Sequence, residues 1–134
     1  MHTDHFTQFL CAARAEPQAQ RLLFVFGVAE LPPTATPGQQ LRYREGRGGT
    51  LAPVMCVDKA LDELDDFAAL ARESEATGQP WDMVFAAALA GHDGATPASA
   101  DVERGLRNMI GAIHRGAIEN FLVFDRQGEP LRFA

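Results

Sequence analysis

Lysine is almost missing from this chain: of its twelve basic residues only Lys59 is a lysine, and the rest are arginine. The bias fits a GC-rich bacterial genome and by itself implies no ligand. Cysteine is scarce too, with Cys11 and Cys56 the only two. No CxxC pair and no Cys/His cluster at zinc spacing exists, which excludes a structural zinc finger and a dithiol redox motif. The two cysteines read as free thiols in a reducing cytoplasm, with one disulfide between them as the alternative. No apolar run reaches the ~18 residues of a membrane span. Met1-His2-Thr3-Asp4 lacks the basic and apolar regions of a secretory signal, so the expected location is cytoplasmic. HExxH, GxGxxG and GxxxxGK[ST] are all missing, so no metalloprotease or nucleotide fingerprint is present. Positive charge is in deficit, with a net charge of −6. An acidic surface repels nucleic-acid phosphates and anionic lipid, which disfavours general nucleic-acid binding and membrane attachment.

What the chain does hold is a real core. Its 134 residues suit one domain, and 46% of them are hydrophobic. Nine phenylalanines against one tryptophan and one tyrosine point to a core of phenyl rings.

Local patterning then sets the elements. Phe6, Phe9, Leu10 and Ala13 fall on one helical face, so a helix is expected over residues 4–15, with Thr3 as N-cap and Pro17 as stop. Cys11 lies off that stripe and is expected at the surface. Residues 21–28, RLLFVFGV, form a continuous apolar run suited to a central strand buried on both faces. Residues 29–50 are irregular, broken by Leu31-Pro32-Pro33 and Pro37-Gly38, with a short helix expected over residues 39–44. A second strand is expected over residues 51–57, after which Asp58 would cap a helix over residues 59–77. Residues 81–90 read as a third strand, with a helix as the alternative that their alanine content leaves open. Val102, Leu106, Met109, Ile110 and Ile113 mark a helix over residues 98–115. Near the end, a strand over residues 121–124 meets the turn Asp125-Arg126-Gln127-Gly128, and a returning strand follows over residues 129–133. Pro130 marks that strand as an edge. The expected fold is therefore α/β: a single domain with a mixed sheet of about five strands, helices packed on it and a C-terminal β-hairpin.

Three segments of the chain resemble one family. They are Arg21-Leu22-Leu23-Phe24-Val25-Phe26, Pro53-Val54-Met55-Cys56-Val57-Asp58-Lys59, and Phe121-Leu122-Val123-Phe124-Asp125-Arg126-Gln127-Gly128-Glu129-Pro130. Together they are similar to a family of small proteobacterial proteins with no established chemistry, some of which bear the label ribonucleotide reductase subunit alpha. The resemblance spans nearly the whole chain and implies a bacterial source. Through the label it implies an association with nucleotide metabolism. It implies no site residues. A catalytic reductase subunit resembling the known class needs a large barrel, a radical cysteine and a pair of redox cysteines, which a chain of 134 residues and two cysteines does not hold.

Candidate site residues follow from supposing the three central strands parallel. Their carboxyl ends would then share one edge of the sheet, where open α/β sheets bind ligands. Glu30, Cys56, Asp58, His92 and Asp93 would converge there. His92 with Asp93 reads as a general base or as a metal ligand with carboxylate neighbours; ordinary Asp-Gly turn chemistry is the competing account. Cys56, near a helix start and Lys59, reads as an activated thiol paired with His92, or as a small buried hydrophobe. Arg42, Arg44 and Arg47, among glycines, read as an anion clamp or as a solvated loop. Asp58 reads as a ligand contact or simply as a helix cap. No metal ligand set and no cofactor are indicated.

Two functions compete. The leading one is a non-catalytic binding or interaction module, with a homodimer as one form and the edge strand near Pro130 or the 29–50 segment as its partner surface, because the chain is well cored and lacks catalytic spacing. The rival is a small enzyme, or a binder of a small anionic ligand such as a nucleotide, working through Cys56, His92, Asp93 and the arginine loop.

Overall fold

The computed structural model describes residues 4–30, 37–38 and 50–131. The short helix expected over residues 39–44 lies outside them. In chain order the elements are α1 (His5–Ala15), β1 (Gln20–Glu30), β2 (Thr50–Ala60), a 3-10 turn (Leu61–Glu63), α2 (Phe67–Glu75), β3 (Met83–Ala90), α3 (Ser99–His114) and β4 (Leu122–Asp125). The α/β class is as expected. The sheet, however, has four strands among the described residues, in the order β2-β1-β3-β4, and every neighbouring pair is antiparallel.

β1 organises the fold. Leu22, Leu23, Phe24, Val25 and Phe26 are all buried, and their alternating side chains feed two separate cores. Leu22, Phe24 and Phe26 face α1 and α2, where they meet Phe6, Leu10, Leu70 and Trp81. Leu23 and Val25 face α3, where they meet Val102, Met109 and Ile113. The unbroken apolar run reflects helices on both faces, a condition that an antiparallel sheet meets as well as a parallel one. β2 and β3 do run parallel to each other through the α2 connection, but β1 lies between them and antiparallel to both.

The helix caps differ from the expected ones. α1 is capped by Asp4, whose Oδ1 accepts the Thr7 backbone N–H at 2.7 Å. That backbone hydrogen bond favours the ionised carboxylate and holds the Asp4 carboxyl below its ordinary value. Asp58 caps nothing. β2 continues past it to Ala60, and Asp58 pairs across the ladder with Arg21 at 2.7 Å. The next helix starts later, where Asp66 accepts the Ala69 N–H at 2.8 Å. An acid-rich stretch, Leu61-Asp62-Glu63-Leu64-Asp65-Asp66, offers several equivalent caps, and tertiary pairing decides among them.

β2 is an edge strand that carries Pro53 and a bulge opposite Phe26 and Gly27. Both devices are common where a strand has a free side. At the other edge, the segment after β4 turns back through Gly128 at φ 81°. Its return is held by the Leu131 N–H on the Val123 carbonyl and the Asp125 N–H on that of Glu129, each 2.8 Å. Only a single bridge, Phe124 to Pro130, forms, so the expected fifth strand and full hairpin reduce to a short bonded arm within the described residues.

Aromatic packing locks α1 to the sheet. The Phe6 ring lies edge-on to Phe67 at 5.2 Å and to Phe124 at 5.3 Å, and stacks on Phe24 at 6.1 Å. Trp81 closes the same core beside Phe26, its Nε1–H donating to Ser74 Oγ at 2.8 Å and the Arg126 guanidinium resting over its ring.

Two stability outcomes follow. Phe6→Ala should cost about 3–5 kcal/mol in urea unfolding, since the ring is fully buried among those of Phe9, Phe24, Phe67 and Phe124; a loss under about 1 kcal/mol would contradict the hub role. Asp4→Ala should cost about 1 kcal/mol near neutral pH through the lost cap. Because the folded-state value is lowered, this contribution is full above the unfolded carboxylate value of ~3.9 and fades as pH falls through the lowered one. Unfolding of both proteins at neutral and acid pH checks the sign; a difference that grows on acidification would contradict it.

Candidate functional site

The antiparallel sheet disperses the residues expected to converge. Glu30, at the exposed end of β1, pairs with Thr50 at the start of β2. Asp58 stands opposite Leu23, seven residues back along β1, which is roughly 23 Å at ~3.3 Å per residue. Cys56 is opposite Val25, which in turn faces Phe85 in β3. His92 follows seven residues after Phe85, beyond a strand that stays bonded through the Gly91 N–H on the Ala19 carbonyl at 2.8 Å. Cys56 and His92 therefore lie roughly 20 Å apart by strand geometry. Both cysteines are free and exposed.

His92 and Asp93 have a structural account. His92 bridges Ala95, and the two residues between them have positive φ, 52° at Asp93 and 79° at Gly94. That is the backbone signature of a type I′ hairpin, for which Asp-Gly is a preferred pair. The turn leaves the His92 side chain exposed. Arg42, Arg44 and Arg47 lie outside the described residues.

Asp58 does border a recess. It lies on the α3 face, about 360 Å³ in volume, with Arg21, Thr96, Ser99 and Glu103 around it. The recess already holds an ion pair of the chain's own: Arg21 Nε meets Asp58 Oδ2 at 2.7 Å, and Arg21 Nη1 meets Glu63 Oε1 at 3.5 Å. An entering anion would compete with Asp58 and Glu63 for one guanidinium and would face Glu103 as well. The expected clamp chemistry is poorly served here.

A further concavity is mainly apolar. A groove of about 490 Å³ runs between α1 and the β4 edge, bordered by Phe9 and Ala12 on one side and Leu122, Phe124, Pro130 and Leu131 on the other. Its cause is geometric. The α1 stripe of Phe6, Leu10 and Ala13 is buried on the sheet, while His5, Gln8, Phe9 and Ala12, at i, i+3, i+4 and i+7, flank that stripe and open on the groove. Phe124 is covered by Phe6, but Leu122, two residues earlier on the same face, lies past the reach of α1. It is 49% exposed and is the only large exposed hydrophobic residue among those described.

Sequence reasoning offered the edge near Pro130 as a partner surface but missed the groove beside it. Phe9 scored as part of the inward stripe, and Leu122 as an ordinary strand residue. The Pro130 edge signal was the one local hint. Which of Leu122 and Phe124 a helix covers is decided by packing between segments more than a hundred residues apart in sequence.

Among the described residues, no group of three or more His, Cys, Asp or Glu is placed to hold a metal ion, and no helix is long and apolar enough to cross a membrane.

The separation of Cys56 and His92 has a direct consequence. In a Cys11→Ser background, His92→Ala should leave the rate and pH profile of Cys56 alkylation unchanged, within about 20%, because electrostatic coupling across ~20 Å of solvent is screened. A profile displaced by half a pH unit or more would show the two side chains in contact.

Comparison with protein-family models, with curated proteins and with solved structures finds no match to this chain, so the functional reading rests on its own geometry.

Proposed function

We propose that this protein is a non-catalytic interaction module of the bacterial cytoplasm, which docks a partner protein on the groove between α1 and β4. The observation that carries this reading is Leu122, half-exposed on the floor of an apolar groove whose other large apolar side chains are half-buried (Phe9, Phe121 and Leu131) or buried (Phe124). Contiguous exposed apolar surface of this kind marks contact sites. An aromatic wall at Phe9 and a floor of Leu122 and Phe124 match the apolar centre of a protein interface.

The rival reading, a small enzyme or anion binder, draws less support. Its thiol and its base are roughly 20 Å apart by strand geometry. Its carboxylates Glu30 and Asp58 stand far apart along the sheet, and Asp58 is engaged by Arg21. A link to nucleotide metabolism, implied by the family resemblance, would on this account run through a protein partner.

Photo-crosslinking tests the docking face. A benzoylphenylalanine at position 122 should give a discrete adduct in cells, in clear excess over the same group at the exposed Asn108 of α3. Leu122→Ser should abolish that partner while changing stability by no more than about 1 kcal/mol, since half the side chain is already in water. Equal adduct patterns from positions 122 and 108 would contradict the proposal.

A further inference from the structure

We infer that the occupant of the groove is a short amphipathic helix from a different protein, with an aliphatic stripe and lysine or arginine along its borders; this rests on the docking face proposed above. Three observations point to that chemistry.

The first is length. His5 to Ala12 covers eight residues of α1, which is roughly 10 Å of helix between the first and last Cα. The opposing strand edge from Phe121 to Phe124 covers a similar ~10 Å. The groove therefore accommodates about two helical turns, read by side chains at i, i+3 or i+4, and i+7.

The second is the state of the β4 edge. The Leu131 and Asp125 N–H groups are already bonded within the arm, to Val123 and Glu129. An extended peptide adding as a strand finds those backbone partners taken. A helix satisfies its own backbone and needs only the apolar floor.

The third is charge. Asp4, Glu119 and Glu129 are exposed and flank the bordering residues along the chain. The whole chain carries a net charge of −6. Basic side chains at the helix borders would meet this rim favourably, and their charge would steer the encounter. A second copy of this chain would bring the same acidic rim against its own, which is repulsive. Anionic lipid is disfavoured for the same reason.

The test uses the full chain, isotope-labelled for NMR, and synthetic peptides of about 15 residues, long enough to hold a helix. One peptide has leucine at helical spacing with lysine between; a second replaces lysine by glutamate; a third scrambles the first. The Leu/Lys peptide should shift signals centred on Phe9, Ala12 and Leu122. Its affinity should fall at least tenfold for the glutamate peptide, for the scrambled peptide, and in Leu122→Asp. Ala12→Arg should block it equally without touching the sheet, so a folding defect in Leu122→Asp does not decide the result. Equal binding of the glutamate or scrambled peptide would overturn the inference. So would binding that appears only after residues 132–134 are removed, which would make the chain's own tail the occupant, or a concentration-dependent dimer broken by Ala12→Arg. A photo-adduct at position 122 with no Leu/Lys peptide binding would overturn the helical basic occupant and leave the docking face standing. Absence of both would remove the docking face itself.

Discussion

The Phe6 ring is the contact on which the rest of the molecule depends. It sits at 0% exposure beneath α1 and touches Phe24 in the central strand, Phe67 in α2 and Phe124 in β4. Edge-on aromatic contacts are short-ranged and directional, so this one side chain fixes both the height and the lateral position of α1 over the sheet. With α1 centred on Phe24 and Phe124, its covering face ends before Leu122. The groove is thus a by-product of where the helix must sit to bury Phe6, and its apolar floor is what the same strand needs for its covered half.

The antiparallel sheet exerts the second constraint. With β1 antiparallel to both neighbours, its carboxyl end lies at one edge of the sheet and those of β2 and β3 at the other, so residues at the ends of all three strands cannot gather at one rim. Polar residues at strand ends instead find local employment. Asp58 holds Arg21, Asp82 accepts the Ala29 N–H at 2.9 Å, Asp66 caps α2, and Asp125 accepts the N–H groups of Gln127 and Glu129 at 2.8 and 3.0 Å. Carboxylates committed to backbone or to an arginine are poor general bases and poor ligand anchors. The groove between α1 and β4 is by contrast lined mainly by apolar side chains.

Much of this fold was legible in the chain because its strongest signals are local. The Leu22 to Phe26 run, the Val102 to Ile113 stripe and the Asp125-to-Gly128 turn each carry their structure within one segment. What was not legible is relational. The run in β1 says that both faces are buried and leaves strand direction open, and the long connection over residues 31–49 permits either direction. Asp58 and Asp66 are equally good caps until Arg21 claims the first. His92-Asp93-Gly94 reads equally as chemistry or as a turn until the φ values at Asp93 and Gly94 settle its backbone. The groove left only the Pro130 edge signal as a local mark, since Leu122 and Phe124 are indistinguishable until α1 is placed over one of them.

The most direct test of a docking face at β4 is the accessibility of position 122 inside and outside the cell. Leu122→Cys, in a background without Cys11 and Cys56, would be treated with a maleimide as purified protein and in living cells, with Asn108→Cys on α3 as the reference. The account predicts ready labelling of position 122 in the purified protein and protection in cells relative to position 108. Equal relative labelling in the two settings would mean that nothing covers the groove, and would contradict the account at its centre.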